Sequence, residues 1–152
     1  PFKLVFAGAG WKKRVGFDHS KIGNVDVYVI DREMSEEEFL YLNTQSLFGL
    51  FPYRQPEDKS EAFQGSGVLP NYIFRGKACI VFNDGCLPEY VDDAGIVIKN
   101  YATDPQELAS AIDKLLDDNI RAEYESKIKE RSYLFSVKYH AEECLEYFKK
   151  IL

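Results

Sequence analysis

The sequence predicts an α/β domain in which helices cover both faces of a mainly parallel sheet. Two observations support this prediction. Short apolar runs alternate along the chain with segments of helical periodicity. The run at residues 78–82 is too short for a helix, is rich in strand formers and stops at a turn signal, residues 83–85. It therefore predicts a buried parallel strand, and right-handed crossovers would place helices on both of its faces.

The length, composition and charge of the chain narrow its classes of function. Its 152 residues suit one domain that can bury a real core. The net charge of -6 argues against a nucleic-acid scaffold and does not favour strong binding to anionic lipid. We therefore expect no nucleic acid among the partners. The basic clusters at residues 12–14 and 149–150 are more typical of a solvated surface than of a phosphate or headgroup contact.

The cysteines and the apolar runs bear on the compartment. Cys79, Cys86 and Cys144 lack the spacing of zinc ligands, so they predict free thiols in a reducing environment. The longest apolar runs have the length of strands, and no signal peptide is visible. We therefore expect a cytoplasmic protein. Because Pro1 already enters a strand and no initiator Met precedes it, we expect a piece of a longer protein.

Three strands and one helix are predicted before the central segment. The strands span residues 3–7, 25–30 and 47–51. The last of them is entirely apolar, which is typical of a central strand. Residues 11–20 form either a short basic helix or an irregular loop. Ser35 and Glu38 have the spacing of a capping box, which predicts the start of a helix.

A Gly-x-Gly turn follows the first strand. Gly8 and Gly10 stand at the carboxyl end of that strand, where doubly wound sheets bind ligands. The third glycine of the dinucleotide fingerprint is absent, because position 13 is Lys13, so a dinucleotide cofactor is not expected. A tight turn that requires positive φ explains the two glycines equally well.

A short helix with the features of an anion site is predicted in the central segment. Ser66 is a candidate N-cap, and Pro70 falls in the first turn, where a missing N–H costs little. Gly76 stands where a helix C-terminus favours a left-handed residue. Backbone N–H groups at such a helix start favour an anion. An ordinary crossover with nothing bound is the alternative interpretation.

One further strand and three helices are predicted in the last third of the chain. The strand spans residues 95–99, and the last two helices span residues 119–134 and 136–152. Asp104 as N-cap and Pro105 at the first helical position mark the start of the helix that precedes them. The apolar side of the last helix is predicted to contain Tyr139, Cys144, Leu145 and Phe148.

Several short sequences occur in an order that resembles a glycosyltransferase signature. In chain order they are Pro52-Tyr53-Arg54, Gly65-Ser66-Gly67-Val68-Leu69-Pro70, Tyr72, Gly76-Lys77 and Leu87-Pro88-Glu89. The set is similar to the nucleotide-sugar-binding half of retaining family 4 enzymes of the GT-B fold, and most similar to a branch that reads roughly PY…QSGV.P.AY…GKP…GLPE. The resemblance covers residues 4–116.

The resemblance implies a fold and an activity. Residues 1–152 would form one Rossmann-like, three-layer donor-binding domain, half of a GT-B fold, whose last helix packs toward a missing N-terminal domain. The enzyme would move a sugar from a nucleoside-diphosphate sugar to a glycan or lipid-linked acceptor. The resemblance implies no cofactor and no metal, and it implies that this piece is inactive when isolated. It is compatible with peripheral membrane association of the full-length protein. The catalytic residues are not identified.

The resemblance also implies which residues bind the donor. Backbone N–H groups at residues 65–69 would hold the pyrophosphate, and the segment around Arg32 would border the base. The candidate nucleotide-sugar-binding residues are Gly8, Gly10, Arg32, Arg54, Gly65, Ser66, Gly67, Val68, Leu69, Asn71 and Glu89. For Arg32 and Arg54 a solvated surface charge is the alternative, and for Glu89 the alternative is capping of the following turn.

Two departures from the family pattern leave other functions open. Many members have a pair of glutamates where this chain has Phe63 and Asn71, although the closest branch also lacks the second glutamate. Loss of both carboxylates keeps a degenerate GT-B-like binding or regulatory module as an alternative. A GT-B-fold sugar-nucleotide epimerase is a further alternative, which is less favoured because no suitably placed acid–base pair is visible.

Overall fold

The structure, a computed structural model, describes residues 2–53, 66–99 and 104–151. The chain divides into two compact units, Pro1–Leu42 and Asn43–Leu152. Both combine strands with helices, so the predicted α/β class is confirmed. The expectations for Arg54, Phe63 and Gly65 lie outside the described residues.

The first unit is built on a three-stranded sheet in the order β1-β3-β2. Its elements are β1 Phe2–Ala7, α1 Trp11–Val15, β2 His19–Ile22, β3 Val25–Ile30 and the beginning of α2 Glu36–Gln45. β1 pairs with β3 in parallel, as predicted, whereas β2 pairs with β3 antiparallel. The strand β2 was not predicted, since residues 11–20 were expected to form a helix or a loop. Its signal is weak because it is an exposed edge strand.

The helix α2 begins with the predicted capping box. The Ser35 hydroxyl accepts the Glu38 N–H at 3.2 Å, and the Glu38 carboxylate accepts the Ser35 N–H at 3.0 Å. The two residues satisfy each other's backbone donors at the exposed start of the helix. Local sequence alone therefore fixes where this helix starts.

The second unit is built on a three-stranded parallel sheet in the order β4-β5-β6. Its elements are β4 Phe48–Phe51, α3 Leu69–Phe74, β5 Ala78–Phe82, α4 Leu87–Val91, β6 Ile96–Ile98, α5 Pro105–Leu116, α6 Asp118–Ser132 and α7 Val137–Ile151, with 3₁₀ turns at Asp92–Ala94 and Tyr133–Phe135. The expectation that the strand at residues 47–51 is central is wrong within this sheet. The central strand is β5, and every residue of β5 is buried.

Helices cover both faces of β5, so the second unit has three layers, with the sheet between two layers of helices. Cys79 and Val81 belong to a core with Leu69, Ile73 and Ile128, from α3 and α6. The alternate residues of β5 belong to a second core, with Ala111 and Leu115 of α5. Burial of each large aliphatic side chain contributes about 1.5–3 kcal/mol. The alternation of β5 side chains therefore holds helices against both faces of the sheet.

Two further helix starts and the last helix complete the unit. Asp104 accepts the Gln106 N–H at 2.9 Å, so the predicted cap of α5 is confirmed. Asp117 is the N-cap of α6, and its carboxylate accepts hydrogen bonds from the N–H groups of Asn119 and Ile120. The apolar side chains of α7 are exposed. Among the described helices, none is both long enough and apolar enough to cross a membrane.

Candidate functional site

The turn that precedes α3 is organised by the hydroxyl of Ser66. This residue is 6% exposed, and its Oγ accepts the N–H groups of Val68 at 3.2 Å and Leu69 at 3.0 Å. Ser66 therefore satisfies backbone donors at the start of the helix, although the N-cap position itself is held by Val68 and not by Ser66 as predicted. The same bonds occupy two of the backbone donors that the resemblance assigns to a pyrophosphate.

The Ser66 hydroxyl also contacts the end of strand β4. Its Oγ lies 3.5 Å from the phenolic oxygen of Tyr53. Tyr53 lies two residues after the end of β4, and Ser66 lies three residues before the start of α3. The contact joins two of the short sequences that carry the resemblance. It places them at the carboxyl edge of a parallel sheet, which is the edge where α/β proteins bind ligands.

Asn71 and Gly67 are joined by a side-chain hydrogen bond. The Asn71 Nδ2 donates to the Gly67 carbonyl at 3.0 Å. The amide group has a second polar atom, the Oδ1, which can accept a hydrogen bond from a ligand hydroxyl. Asn71 is therefore oriented by the same turn that would hold a phosphate.

Gly67 has space on the side where a Cβ would lie. An added Cβ would meet no atom within 4 Å among the described residues. Its φ also lies outside the positive range that favours glycine. Within the described residues, packing and backbone strain therefore do not explain why this position is glycine, whereas close approach of a ligand to the backbone would explain it.

Glu89 lies in α4, a helix that was not predicted. Glu89 is exposed in the first turn of α4, and α4 packs against α3. The predicted capping role of the Glu89 carboxylate is not seen among the described contacts. Instead, its backbone carbonyl accepts a hydrogen bond from the Arg131 guanidinium.

Arg131 is a residue of this region that sequence reasoning missed. Its Nε donates to the Tyr90 carbonyl at 2.8 Å, and its Nη1 lies 3.3 Å from the Asp92 carboxylate. Asp92 has φ +48°, a value that favours glycine. Arg131 thus satisfies the carbonyls at the end of α4 and holds the strained residue that follows. Nothing in the sequence indicated this role, because 41 residues separate Arg131 from Tyr90.

Lys77 is a second structural cation. Its Nζ donates to the carbonyls of Thr44 at 3.0 Å and Ser46 at 2.7 Å, at the C-terminal end of α2. The Gly76-Lys77 pair therefore ends one helix and caps another, with Gly76 at φ +68° as predicted. Nearby, Asn43 is 1% exposed, and both polar atoms of its side chain lack a hydrogen-bond partner in the described part of the chain. Nothing in the structure explains that burial.

The candidates of the first unit form a separate group. Gly8 has φ +124° and Gly10 has φ +89°, so the tight turn with positive φ is confirmed. The Gly8 N–H donates to the Ile30 carbonyl at 3.0 Å. The turn therefore lies beside the carboxyl end of β3, the strand that leads to Arg32.

A cavity of about 350 Å³ lies beyond the end of β3. Its lining residues are Ile30, Arg32, Met34, Glu37, Glu38, Tyr41 and Leu42. Arg32 forks onto the Glu38 carboxylate, with N–O distances of 2.6 and 2.8 Å. These bonds, together with the N–H of Ser35, lower the pKa of the Glu38 carboxyl from 4.5 to about 2. The walls are otherwise mainly apolar, so the cavity suits a flat ring more than a phosphate.

Further observations complete the description of the candidate site. In residues 2–53, 66–99 and 104–151, no group of three or more histidine, cysteine, aspartate or glutamate residues is placed to hold a metal. None of the three cysteines is in a disulfide, and burial raises the pKa of the Cys79 thiol well above its usual range. Comparison with protein-family models and with curated proteins finds no match to this chain.

Proposed function

We propose that the chain is the donor-binding domain of a retaining glycosyltransferase. Its substrate is a nucleoside-diphosphate sugar, and the acceptor is a glycan or a lipid-linked glycan. Two independent features support the proposal. The ordered short sequences resemble those of the family. In the second unit, Tyr53, the turn at residues 66–69 and the helix that contains Glu89 lie at or beyond the carboxyl ends of β4 and β5, whereas Gly76-Lys77 precedes β5 at the opposite edge.

The contact between Tyr53 and Ser66 is the observation that carries the proposal. It brings together residues 13 positions apart and positions the turn at residues 66–69 beside a strand end. The open side of Gly67 lets a diphosphate approach the backbone of this turn. Backbone donors there stabilise the negative charge that develops on the leaving diphosphate during glycosyl transfer.

The remaining candidates take roles that match their chemistry. The Asn71 Oδ1 accepts a hydrogen bond from a ribose hydroxyl while its Nδ2 stays on Gly67. The resemblance assigns the base to the segment around Arg32, which borders a cavity with largely apolar walls. Glu89, exposed at the start of α4, offers a carboxylate to the sugar.

A second candidate function is a GT-B-like module that binds a partner without catalysis. The specific observation in its favour is that the Ser66 hydroxyl already satisfies the N–H groups of Val68 and Leu69. A turn whose donors are satisfied internally gains less from binding a phosphate. In this alternative the turn is only a helix cap.

Calorimetric titration with UDP and with GDP separates the two functions. The chain should bind at least one of them in the millimolar range or tighter, and Gly67→Val should weaken that binding at least about tenfold. Ala109→Val, which adds the same side chain at an exposed position of α5, is the matched control and should bind as the unaltered chain does. Absence of binding at millimolar nucleotide, or unchanged binding by folded Gly67→Val, would contradict the donor site.

A further inference from the structure

The side chain of Tyr53 is held by packing at the carboxyl end of β4. Its ring centroid lies 6.3 Å from that of the Phe51 ring, and the ring packs against the core that contains Leu69. Tyr53 is partly buried, and its hydroxyl lies 3.5 Å from the Ser66 Oγ. The fold therefore sets the position of the phenolic oxygen, beside the turn at residues 66–69.

The hydrogen bonds of the Ser66 hydroxyl decide which of the two hydroxyls donates in this contact. A hydroxyl has two acceptor lone pairs and one proton to donate. The Ser66 Oγ already accepts the N–H groups of Val68 at 3.2 Å and Leu69 at 3.0 Å, so both of its lone pairs are used. The proton of Ser66 is therefore the one that points at the Tyr53 oxygen. Tyr53 accepts in this contact, and its own proton is left to be donated elsewhere.

The proton of the Tyr53 hydroxyl is available to a ligand. Within the part of the chain that the structure describes, this hydroxyl donates to no acceptor. Its contact with Ser66, at 3.5 Å, is also longer than the usual separation of about 2.5–3.0 Å between two hydroxyl oxygens. An anionic oxygen is a stronger acceptor than a neutral one. Tyr53 therefore offers a donor to an anion at this edge of the sheet.

The turn beside Tyr53 has few backbone donors left for a diphosphate. Ser66 occupies the N–H groups of Val68 and Leu69, and Pro70 has no N–H. Gly67 is exposed, and its N–H forms no hydrogen bond with the described residues. One backbone donor is a small set for a group that carries several negative charges. A side-chain donor beside the turn adds to the binding that the occupied N–H groups cannot provide.

We propose that the Tyr53 hydroxyl donates a hydrogen bond to a phosphate oxygen of the bound nucleoside diphosphate, beside the Gly67 N–H. This inference rests on the proposed donor-binding function and adds a binding residue to it. In the complex the Ser66 proton stays on the Tyr53 oxygen, which polarises the Tyr53 O–H bond and strengthens its donation. Binding in this way leaves intact the bonds that Ser66 makes to the N–H groups of Val68 and Leu69.

Two matched variants isolate the contribution of the Tyr53 hydroxyl. Tyr53→Phe removes the proposed donor and keeps the ring that packs on the core. The control is Tyr72→Phe, because the Tyr72 hydroxyl also lies beside a serine hydroxyl, 3.4 Å from the Ser46 Oγ. Ser46 precedes β4, so this second pair lies toward the opposite end of that strand from Tyr53. Each variant loses one hydroxyl from a contact of the same kind, and both should remain folded by circular dichroism.

Titration of these chains with UDP and with GDP, followed by magnetic resonance, tests the proposal. Tyr53→Phe should raise the dissociation constant of the nucleotide that binds by about five- to tenfold, and Tyr72→Phe should leave it unchanged. The phosphorus resonance of the bound nucleotide, extrapolated to saturation, should move in Tyr53→Phe and stay in place in Tyr72→Phe, because only the first variant loses a hydrogen bond to a phosphate oxygen.

The outcomes separate the role of Tyr53 from the donor site itself. If Gly67→Val weakens binding and Tyr53→Phe does not, the contact with Tyr53 is wrong and the donor site stands. If Tyr53→Phe weakens binding but leaves the phosphorus resonance in place, or if Tyr72→Phe weakens binding equally, the hydroxyl acts through the fold and the proposed contact is again wrong. If the unaltered chain binds neither nucleotide, the donor site falls and this inference falls with it.

Discussion

The hydroxyl of Ser66 lies 3.5 Å from the hydroxyl of Tyr53, and this contact joins the end of β4 to the beginning of α3. The same Ser66 oxygen accepts the N–H groups of Val68 and Leu69. One nearly buried hydroxyl therefore shapes the whole turn that we propose as the diphosphate site.

Removal of this hydroxyl should destabilise the fold. Ser66→Ala leaves the Val68 and Leu69 N–H groups without their acceptor, so the free energy of unfolding should fall by about 1–2 kcal/mol. Ser110→Ala, at an exposed position of α5, is the control and should change it by less than about 0.5 kcal/mol. Urea denaturation measures both variants. Equal urea midpoints for Ser66→Ala and Ser110→Ala would show that the Ser66 hydroxyl does not stabilise the start of the helix.

The capping box of α2 should make stability depend on acid pH. The pKa of the Glu38 carboxyl is lowered from 4.5 to about 2 by hydrogen bonds from Arg32 first and then from Ser35. Because the pKa is lowered on folding, its stabilising contribution is present above about pH 4.5 and is lost as the pH falls through about 2. The difference in denaturation midpoint between the unaltered chain and Glu38→Gln should narrow from pH 7 to pH 2. A difference that does not change with pH would refute this role.

Substitution by glycine should lower the free energy of unfolding less at Asp92 than at Asp93. Asp92 has φ +48°, whereas Asp93 is not among the residues with positive φ. Each makes one exposed ion pair, at 3.3 Å with Arg131 and at 3.5 Å with Lys127, so each glycine variant loses a similar contact. Asp92→Gly should keep or raise the free energy of unfolding, while Asp93→Gly should lower it by about 1 kcal/mol. A larger loss for Asp92→Gly than for Asp93→Gly in thermal unfolding would contradict the assigned backbone strain.

Two glycines of the second unit should respond oppositely to alanine. At Gly49 an added Cβ would lie 2.6 Å from the Phe51 ring and 2.7 Å from the Tyr72 ring, so Gly49→Ala should cost about 1–3 kcal/mol. At Gly67 the added Cβ meets no atom within 4 Å among the described residues, so Gly67→Ala should stay within about 0.5 kcal/mol of the unaltered chain. Urea denaturation of both variants makes the comparison. A Gly67→Ala chain as unstable as Gly49→Ala would make Gly67 a packing residue.

The sequence correctly predicted those structural features that depend on residues close together in the chain. The capping box of Ser35 and Glu38 and the cap at Asp104 were predicted because the donor and acceptor lie two or three residues apart. The buried strand β5 was predicted from its continuous apolar run. The strand β2 was missed because an exposed edge strand needs no such run. The helix α4 was missed because it follows the turn signal at residues 83–85 and its five residues are too few to show helical periodicity.

Features that depend on distant partners could not be predicted in the same way. Arg131 bonds to a carbonyl 41 residues away, and Lys77 bonds to one 31 residues away. Nothing in the local pattern distinguishes such cations from solvated ones. For the same reason the sequence predicted a capping role for Ser66 but not its contact with Tyr53. The part of the candidate site that depends on one turn was predictable, and its surroundings were not.

Amide chemical shifts of the isotopically labelled chain during titration with UDP and GDP test the proposed donor site most directly. Because the diphosphate is proposed to meet the backbone beside Gly67, we expect the largest shift changes at residues 66–71. Ala109→Val should reproduce this pattern, and Gly67→Val should suppress it while the other amide positions stay unchanged. If the largest changes fall elsewhere, or if none occur at millimolar nucleotide, the donor-site assignment is wrong.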